Sequence, residues 1–202
     1  QALDLRGTAA GDMGLIPLAT VGERRAAVAQ LIGATKYRPL VERSAWVAAV
    51  AERAGVPLPN DLMMRSGQVR ALHAAGMTVG GHTVSHPILA RLETAEIHSE
   101  IAEGRRQLES VVASPVTVFA YPNGKPGDDY DERAVQVVRD QGFAAAVSTA
   151  WGVAHGGTHV LQLPRFTPWD RTRTRFGLRL AVTAFSRTAP AALSPAVAAR
   201  TS

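Results

Sequence analysis

The run Met77-Thr-Val-Gly-Gly-His-Thr-Val-Ser-His-Pro87 limits the fold of this chain more than any other stretch. His82 and His86 stand four apart, a spacing that in a helix would put both rings on one face. A helix is nevertheless disfavoured. Gly80 and Gly81 precede the pair and Pro87 follows it, and both residue types interrupt helices. The zinc-protease helix also needs Glu directly after the first His, where Thr83 stands. The run therefore reads as a short apolar strand, Met77 to Val79, opening into a loop whose two imidazoles can share one divalent ion. A pair of loop histidines without a metal is the alternative.

From this point the chain alternates regularly. A helix is expected from Thr94 to about Val112, with Ile97, Ile101, Leu108 and Val111 at helical spacing and Pro115 beyond its end. Strands follow at Val116–Tyr121, Phe143–Ser148 and Val160–Phe166, with a helix from Asp131 to Gln141 between the first two and a last helix from Asp170 or Thr172. This order implies parallel strands with helices outside and ligands at the carboxyl ends of the strands. Upstream, residues 1–18 read as a loop. Thr20 and Glu23 make a capping-box pattern ahead of an apolar face of Ala26, Ala27, Leu31 and Ile32. A second helix after Pro39 is expected to turn Leu40, Ala45, Val47, Val50, Ala51 and Ala54 inward, and Ser66 to cap a third. Residues 1–61 are thus an N-terminal loop and helical insertion, residues 62–188 the strand-bearing domain, and the Ala/Pro/Ser-rich residues 189–202 a disordered tail.

Composition narrows the partners. The net charge of +5 comes from 22 basic against 17 acidic residues, and all the basic ones except Lys36 and Lys125 are Arg. These arginines are scattered among acidic residues with no aromatic-basic stripe, which argues against nucleic acid. No run of 18 apolar residues is present, so no membrane-spanning helix is expected. The first twenty residues lack the basic start and apolar centre of a signal peptide. The absence of cysteine excludes disulfides and thiolate ligands and leaves the compartment open.

Gly81-His-Thr-Val-Ser-His-Pro87 resembles the second motif of the polysaccharide deacetylases, the NodB-homology family of carbohydrate esterases. Phe119-Ala-Tyr-Pro-Asn-Gly124 is similar to the family's next motif, and the likeness continues through Gly142-Phe143 and Leu163-Pro164-Arg165, covering about Leu62 to Asp170. The resemblance implies a partial, distorted (β/α) barrel of the NodB-homology type. It implies metal-dependent hydrolysis of N-acetyl groups on an amino-sugar polysaccharide, with Zn²⁺ as the divalent ion and His82 and His86 as two of its ligands. The third ligand and the general base are aspartates of the family's first motif, which this sequence lacks. The motif around Pro122 places the oxyanion-binding amide at Asn123, with Tyr121 and Pro122 beside the substrate.

Two departures stand out. Ala120 occupies the position of the family's usual Arg, and Arg165 is the candidate to replace it. No His stands beside Leu163-Pro164-Arg165, where the family often has a general acid; His155 and His159 lie just upstream. Trp151 is a candidate platform for the acetyl methyl or a sugar face. The start at Gln1 and the missing motif lead to the expectation of an inactive fragment, and the family likeness to an extracytoplasmic or cell-envelope setting. The competing expectation is a catalytically silent carbohydrate-binding or scaffold domain of the same fold.

Overall fold

A computed structural model of the protein describes residues 1–55, 57, 59–166 and 169–185. The chain divides into two compact units, Gln1–Met64 and Arg65–Ser202. The expected tail, 189–202, lies outside the described residues.

The first unit opens on a hairpin rather than the expected loop. Strand β1 (Ala2–Asp4) pairs antiparallel with β2 (Leu15–Pro17), Leu3 opposite Ile16. Leu3 and Leu5 alternate with polar neighbours and are both buried, the period of a half-buried strand. Helix α1 (Val21–Lys36) begins at the expected capping box: Thr20 Oγ1 accepts from the Glu23 N–H, and the Glu23 carboxylate accepts from the Thr20 N–H. Helix α2 (Leu40–Ala54) ends at Gly55 in the left-handed region. The expected inward faces need correction. Ile32, Leu40 and Val47 are exposed, whereas Ala27 and Trp46 are buried against Leu3, Leu5 and Ile16. In Ala-rich helices the apolar stripe is broad, and the one bulky ring decides which face turns inward.

The second unit carries the alternation. Helix α3 (Ser66–Ala74) starts one residue earlier than expected: Ser66 lies inside it, and the Gln68 side chain accepts from the Arg65 N–H. Helix α4 (Thr94–Val112) leads to β3 (Val118–Ala120), α5 (Glu132–Asp140), β4 (Ala145–Val147) and α6 (Arg173–Phe185). Asp131 caps α5 by accepting from the Arg133 and Ala134 N–H groups. Strands β3 and β4 pair in parallel, Phe119 opposite Ala146.

Two expected strands are reduced to single parallel bridges, Gly81 to Phe119 and Val147 to Leu163. Around Leu163 the cause is local: residues 160–162 form a 3₁₀ turn, and Pro164 has no N–H for a ladder. Before His82 the chain passes too close to β3 for side chains. A methyl group on Gly80 would lie 3.0 Å from Val118 Cγ2. The lateral order Gly81, β3, β4, Leu163 is nevertheless parallel throughout. Its core joins Phe119, Tyr121, Tyr130, Phe143 and Leu161 with Ile97 and Ile101 of α4.

Candidate functional site

Each of those four parallel segments runs out into a loop at its carboxyl end. His82 follows Gly81, residues 121–124 follow β3, Trp151 lies beyond β4, and Arg165 follows Leu163. Parallel pairing therefore brings all four loops to one end. Hydrogen bonds tie them together. His82 Nδ1 lies 2.7 Å from the Ala120 carbonyl oxygen, the Thr149 N–H donates to Gly124 O at 2.7 Å, and Thr149 Oγ1 donates to Asn123 O at 2.8 Å. Arg165 donates from its backbone N–H to Ala150 O and from Nε to Ser148 O.

The loop between the histidines holds an unusual backbone. Thr83 and His86 have φ of 64° and 55°, in the left-handed region that non-glycine residues seldom enter. For β-branched Thr83 this is a true outlier, costing on the order of 1–3 kcal/mol. Side chains hold it there. The Val84 and Ser85 N–H groups both donate to Glu100 Oε2 at 2.9 Å, and Ser85 Oγ donates to Glu100 Oε1 at 2.7 Å. The His86 N–H donates to Thr83 Oγ1 at 3.1 Å. Three successive loop amides are thus satisfied by two side chains. From below, α4 closes on the loop at Gly104, where a methyl group would lie 3.0 Å from the Thr83 carbonyl carbon.

The result is a histidine pair with ring centroids 4.8 Å apart and ring planes at 75°. The donor set fits half of a zinc site. The Ala120 oxygen can only accept, so His82 Nδ1 carries the proton and Nε2 is left as the lone-pair nitrogen, the arrangement typical of a metal-ligating histidine. As a residue His82 is exposed, but its Nδ1 edge is turned onto the protein. Burial there is the main cause holding its pKa below the ordinary histidine value, and the charges of His86 and Arg165 push the same way, against the Ala120 hydrogen bond. A neutral imidazole is the ligating form. Among the described residues no group of three or more His, Cys, Asp or Glu side chains is placed to hold a metal ion.

The other expected site residues fall as follows. Asn123 has φ of 56°, and its N–H makes no hydrogen bond among the described residues. Tyr121 and Pro122 are buried. The Tyr121 hydroxyl donates to Leu161 O, its ring stacks on Tyr130 with centroids 3.8 Å apart, and burial drives its pKa up. The side chains of Tyr121 and Pro122 pack into the interior next to Asn123. Trp151 is exposed, and its ring lies against Phe166. Arg165 uses Nε for Ser148 O, and its charge acts on the His82 ring. His155 and His159 are occupied locally: the Nδ1 atoms accept from the Gly157 and Leu161 N–H groups.

Glu100 and Gly104 were not singled out from sequence. The available signal was a lone glycine inside a helical pattern, on the face of Ile97 and Ile101.

A profile of the polysaccharide deacetylase family matches residues 45–146, just over half of the 202 residues. The chain belongs to the polysaccharide deacetylase family. The match begins upstream of Leu62 and takes in both histidines and residues 119–124. YxkH of Bacillus subtilis, whose name assigns it provisionally to the polysaccharide deacetylases, is 24% identical over 103 residues, 50% of this chain and 36% of that protein. Among solved structures, IcaB from Ammonifex degensii aligns with a TM-score of 0.50 at 19% identity over 65% of this chain and 64% of its own. The Streptococcus pyogenes deacetylase PplD, solved with acetate, aligns with a TM-score of 0.49 at 22% identity over 53% of this chain and 46% of its own. The chain spans less than two thirds of each of these relatives. Its fold is part of the distorted barrel of the NodB type.

Proposed function

We propose that this chain supplies the histidine-bearing part of a metal-dependent deacetylase centre that releases acetate from an N-acetylated amino-sugar polysaccharide. The observation that carries the reading is the histidine pair: two adjacent rings, one with its tautomer set by a backbone carbonyl, at the carboxyl end of parallel segments. A divalent ion, zinc by the donor set, supplies Lewis-acid polarisation and a water nucleophile at neutral pH. The chain's own residues do the rest. His82 and His86 would hold the ion; one aspartate of the family's first motif, which this sequence lacks, would complete its ligands, and a second carboxylate of that motif would take the water proton. The Asn123 N–H, free of other bonds among the described residues, donates to the oxygen that becomes negative as the acetyl carbon turns tetrahedral. Arg165, fixed through Nε, keeps its remaining donors for that carboxylate in place of the Arg that Ala120 replaces. The C–N bond breaks, the new C–O bond leaves acetate, and the amine takes the proton.

The test is acetate release from N-acetylglucosamine oligomers, in the gene product that contains these 202 residues, with zinc or cobalt added. Release that depends on metal and is lost in His82→Ala and His86→Ala is expected. Release unchanged in His82→Ala overturns the reading. Ala120 at the position of the family's usual Arg favours a second reading, a silent carbohydrate-binding domain. Oligomer binding without acetate release decides for it.

A further inference from the structure

We propose that Glu100 is a positioning residue for the histidine pair, an inference that rests on reading His82 and His86 as metal ligands. The two rings belong to residues on either side of a turn that the chain would not adopt unaided. Thr83 and His86 sit in the left-handed region, the His86 N–H is met inside the loop by Thr83 Oγ1, and the Val84 and Ser85 N–H groups turn to α4. Glu100 answers those two groups directly. One carboxylate oxygen accepts from two successive N–H groups, and the other accepts from the Ser85 hydroxyl. Hydrogen bonds to an ionised acceptor are roughly twice as strong as neutral ones. The geometry also separates Glu100 from a metal ligand, because both of its oxygens are engaged on the loop. One turn further along the same helix face, Gly104 lets the α4 backbone touch the Thr83 backbone. A rigid helix thus sets the height and orientation of the loop through two residues a turn apart, and the separation of the two rings follows.

The experiment uses the gene product that contains these 202 residues and its Glu100→Ala, Glu100→Gln and Ser85→Ala variants. Cobalt(II) chloride is titrated and followed by visible absorption. Without metal, ring-to-ring NOEs between His82 and His86 and hydrogen exchange of the Val84 and Ser85 amides are measured, with the thermal midpoint as a check on the whole fold. Glu100→Ala is expected to weaken cobalt uptake roughly 10–100-fold, the usual range for a group that orients a ligand, and to lose both the NOEs and the protection. Glu100→Gln is expected to stay within a few fold of the parent, since its carbonyl oxygen can accept both N–H groups and its amide can donate to Ser85 Oγ. Ser85→Ala, which removes one of the three bonds, is expected to fall between. Cobalt uptake and NOEs unchanged in Glu100→Ala overturn the inference, as does equal loss in the Ala and Gln variants. A parent chain that takes up no cobalt overturns the metal reading itself, and the purpose assigned to Glu100 with it.

Discussion

Helices α1 and α4 are of similar length, and each carries a glycine in its interior, Gly33 and Gly104. In isolation each glycine costs its helix roughly 1 kcal/mol relative to Ala. Their surroundings differ. A methyl group at Gly33 would meet nothing within 4 Å, whereas at Gly104 it would lie 3.0 Å from the Thr83 carbonyl carbon and 3.1 Å from its oxygen. The glycine in α4 makes room for the loop that bears both imidazoles. The glycine in α1 makes room for nothing. The rest of each helix follows suit: α4 buries Ile97 and Ile101 in the core, while α1 leaves Val21, Val28 and Ile32 exposed. Two helices of similar sequence quality are told apart by what lies opposite them.

The largest effect that tests this contrast is a core truncation. Ile101→Ala in α4 is expected to lower stability by about 2–5 kcal/mol, read from urea denaturation. Ile32→Ala in α1 is expected to stay within about 0.5 kcal/mol. Equal losses would break the comparison. Next come the glycines themselves, where one substitution is expected to act with opposite signs. Gly33→Ala should stabilise by about 0.8–1.0 kcal/mol. Gly104→Ala should destabilise by about 1–3 kcal/mol through overpacking against backbone that cannot yield cheaply. It should also shift the backbone amide resonances from Thr83 to His86. A stabilising Gly104→Ala would remove α4 from its role beneath the loop.

Much of this is legible in the sequence, and each failure has its own physical cause. The capping box at Thr20, the stop at Gly55 and the histidine loop at the end of a parallel segment all rest on residues whose local chemistry leaves few choices. The hairpin of β1 and β2 was missed because strands of three residues give too little alternation to stand out from a glycine-rich segment. The strand expected at Val160–Phe166 shrinks to one bridge because residues 160–162 close into a 3₁₀ turn, which an apolar run does not distinguish from a strand. The motif at the strand end does not tell that the Tyr121 ring fills the core and that its hydroxyl donates to Leu161 O. Glu100 was invisible for a different reason. One glutamate among several on α4 is singled out only by the amides that a distant loop turns toward it.

A smaller effect sharpens the comparison at the helix starts. Thr20→Ala is expected to cost about 1 kcal/mol, since Thr20 Oγ1 satisfies the otherwise unpaired Glu23 N–H of α1. Glu93→Ala at the start of α4 is expected to cost less than about 0.5 kcal/mol, because the side chain of Glu93 makes no capping bond and the Glu96 carboxylate pairs with the Glu93 backbone N–H instead. Thermal midpoints of the two variants measure the difference. Here α1 is the helix that depends on a side chain, the reverse of the core result.

The smallest expected effect is the pH dependence of the loop that α4 supports. His82 has its pKa held below the ordinary value, chiefly by burial of its Nδ1 edge and then by the charges of His86 and Arg165. In the unfolded chain it titrates near 6.5. Between the folded and unfolded values the unfolded chain binds more protons, so stability rises with pH in that window. On acidification the loss begins as pH falls through about 6.5, and it stops growing once pH is below the folded pKa, where both states carry the proton. The size is modest because much of the ring is exposed to solvent. An NMR titration of the His82 ring proton checks the direction: the midpoint is expected below about 6.5. Arg165→Gln is expected to raise that midpoint partway, since it removes one cause and leaves the larger one, burial, in place. His82→Gln is expected to flatten the stability slope in this window, while Thr20→Ala in α1 lowers stability at every pH and leaves the slope alone. A His82 midpoint at or above the ordinary value would mean that the ring is not buried in solution as it is here, because burial is the largest cause of the lowering and the Ala120 hydrogen bond acts in the opposite direction.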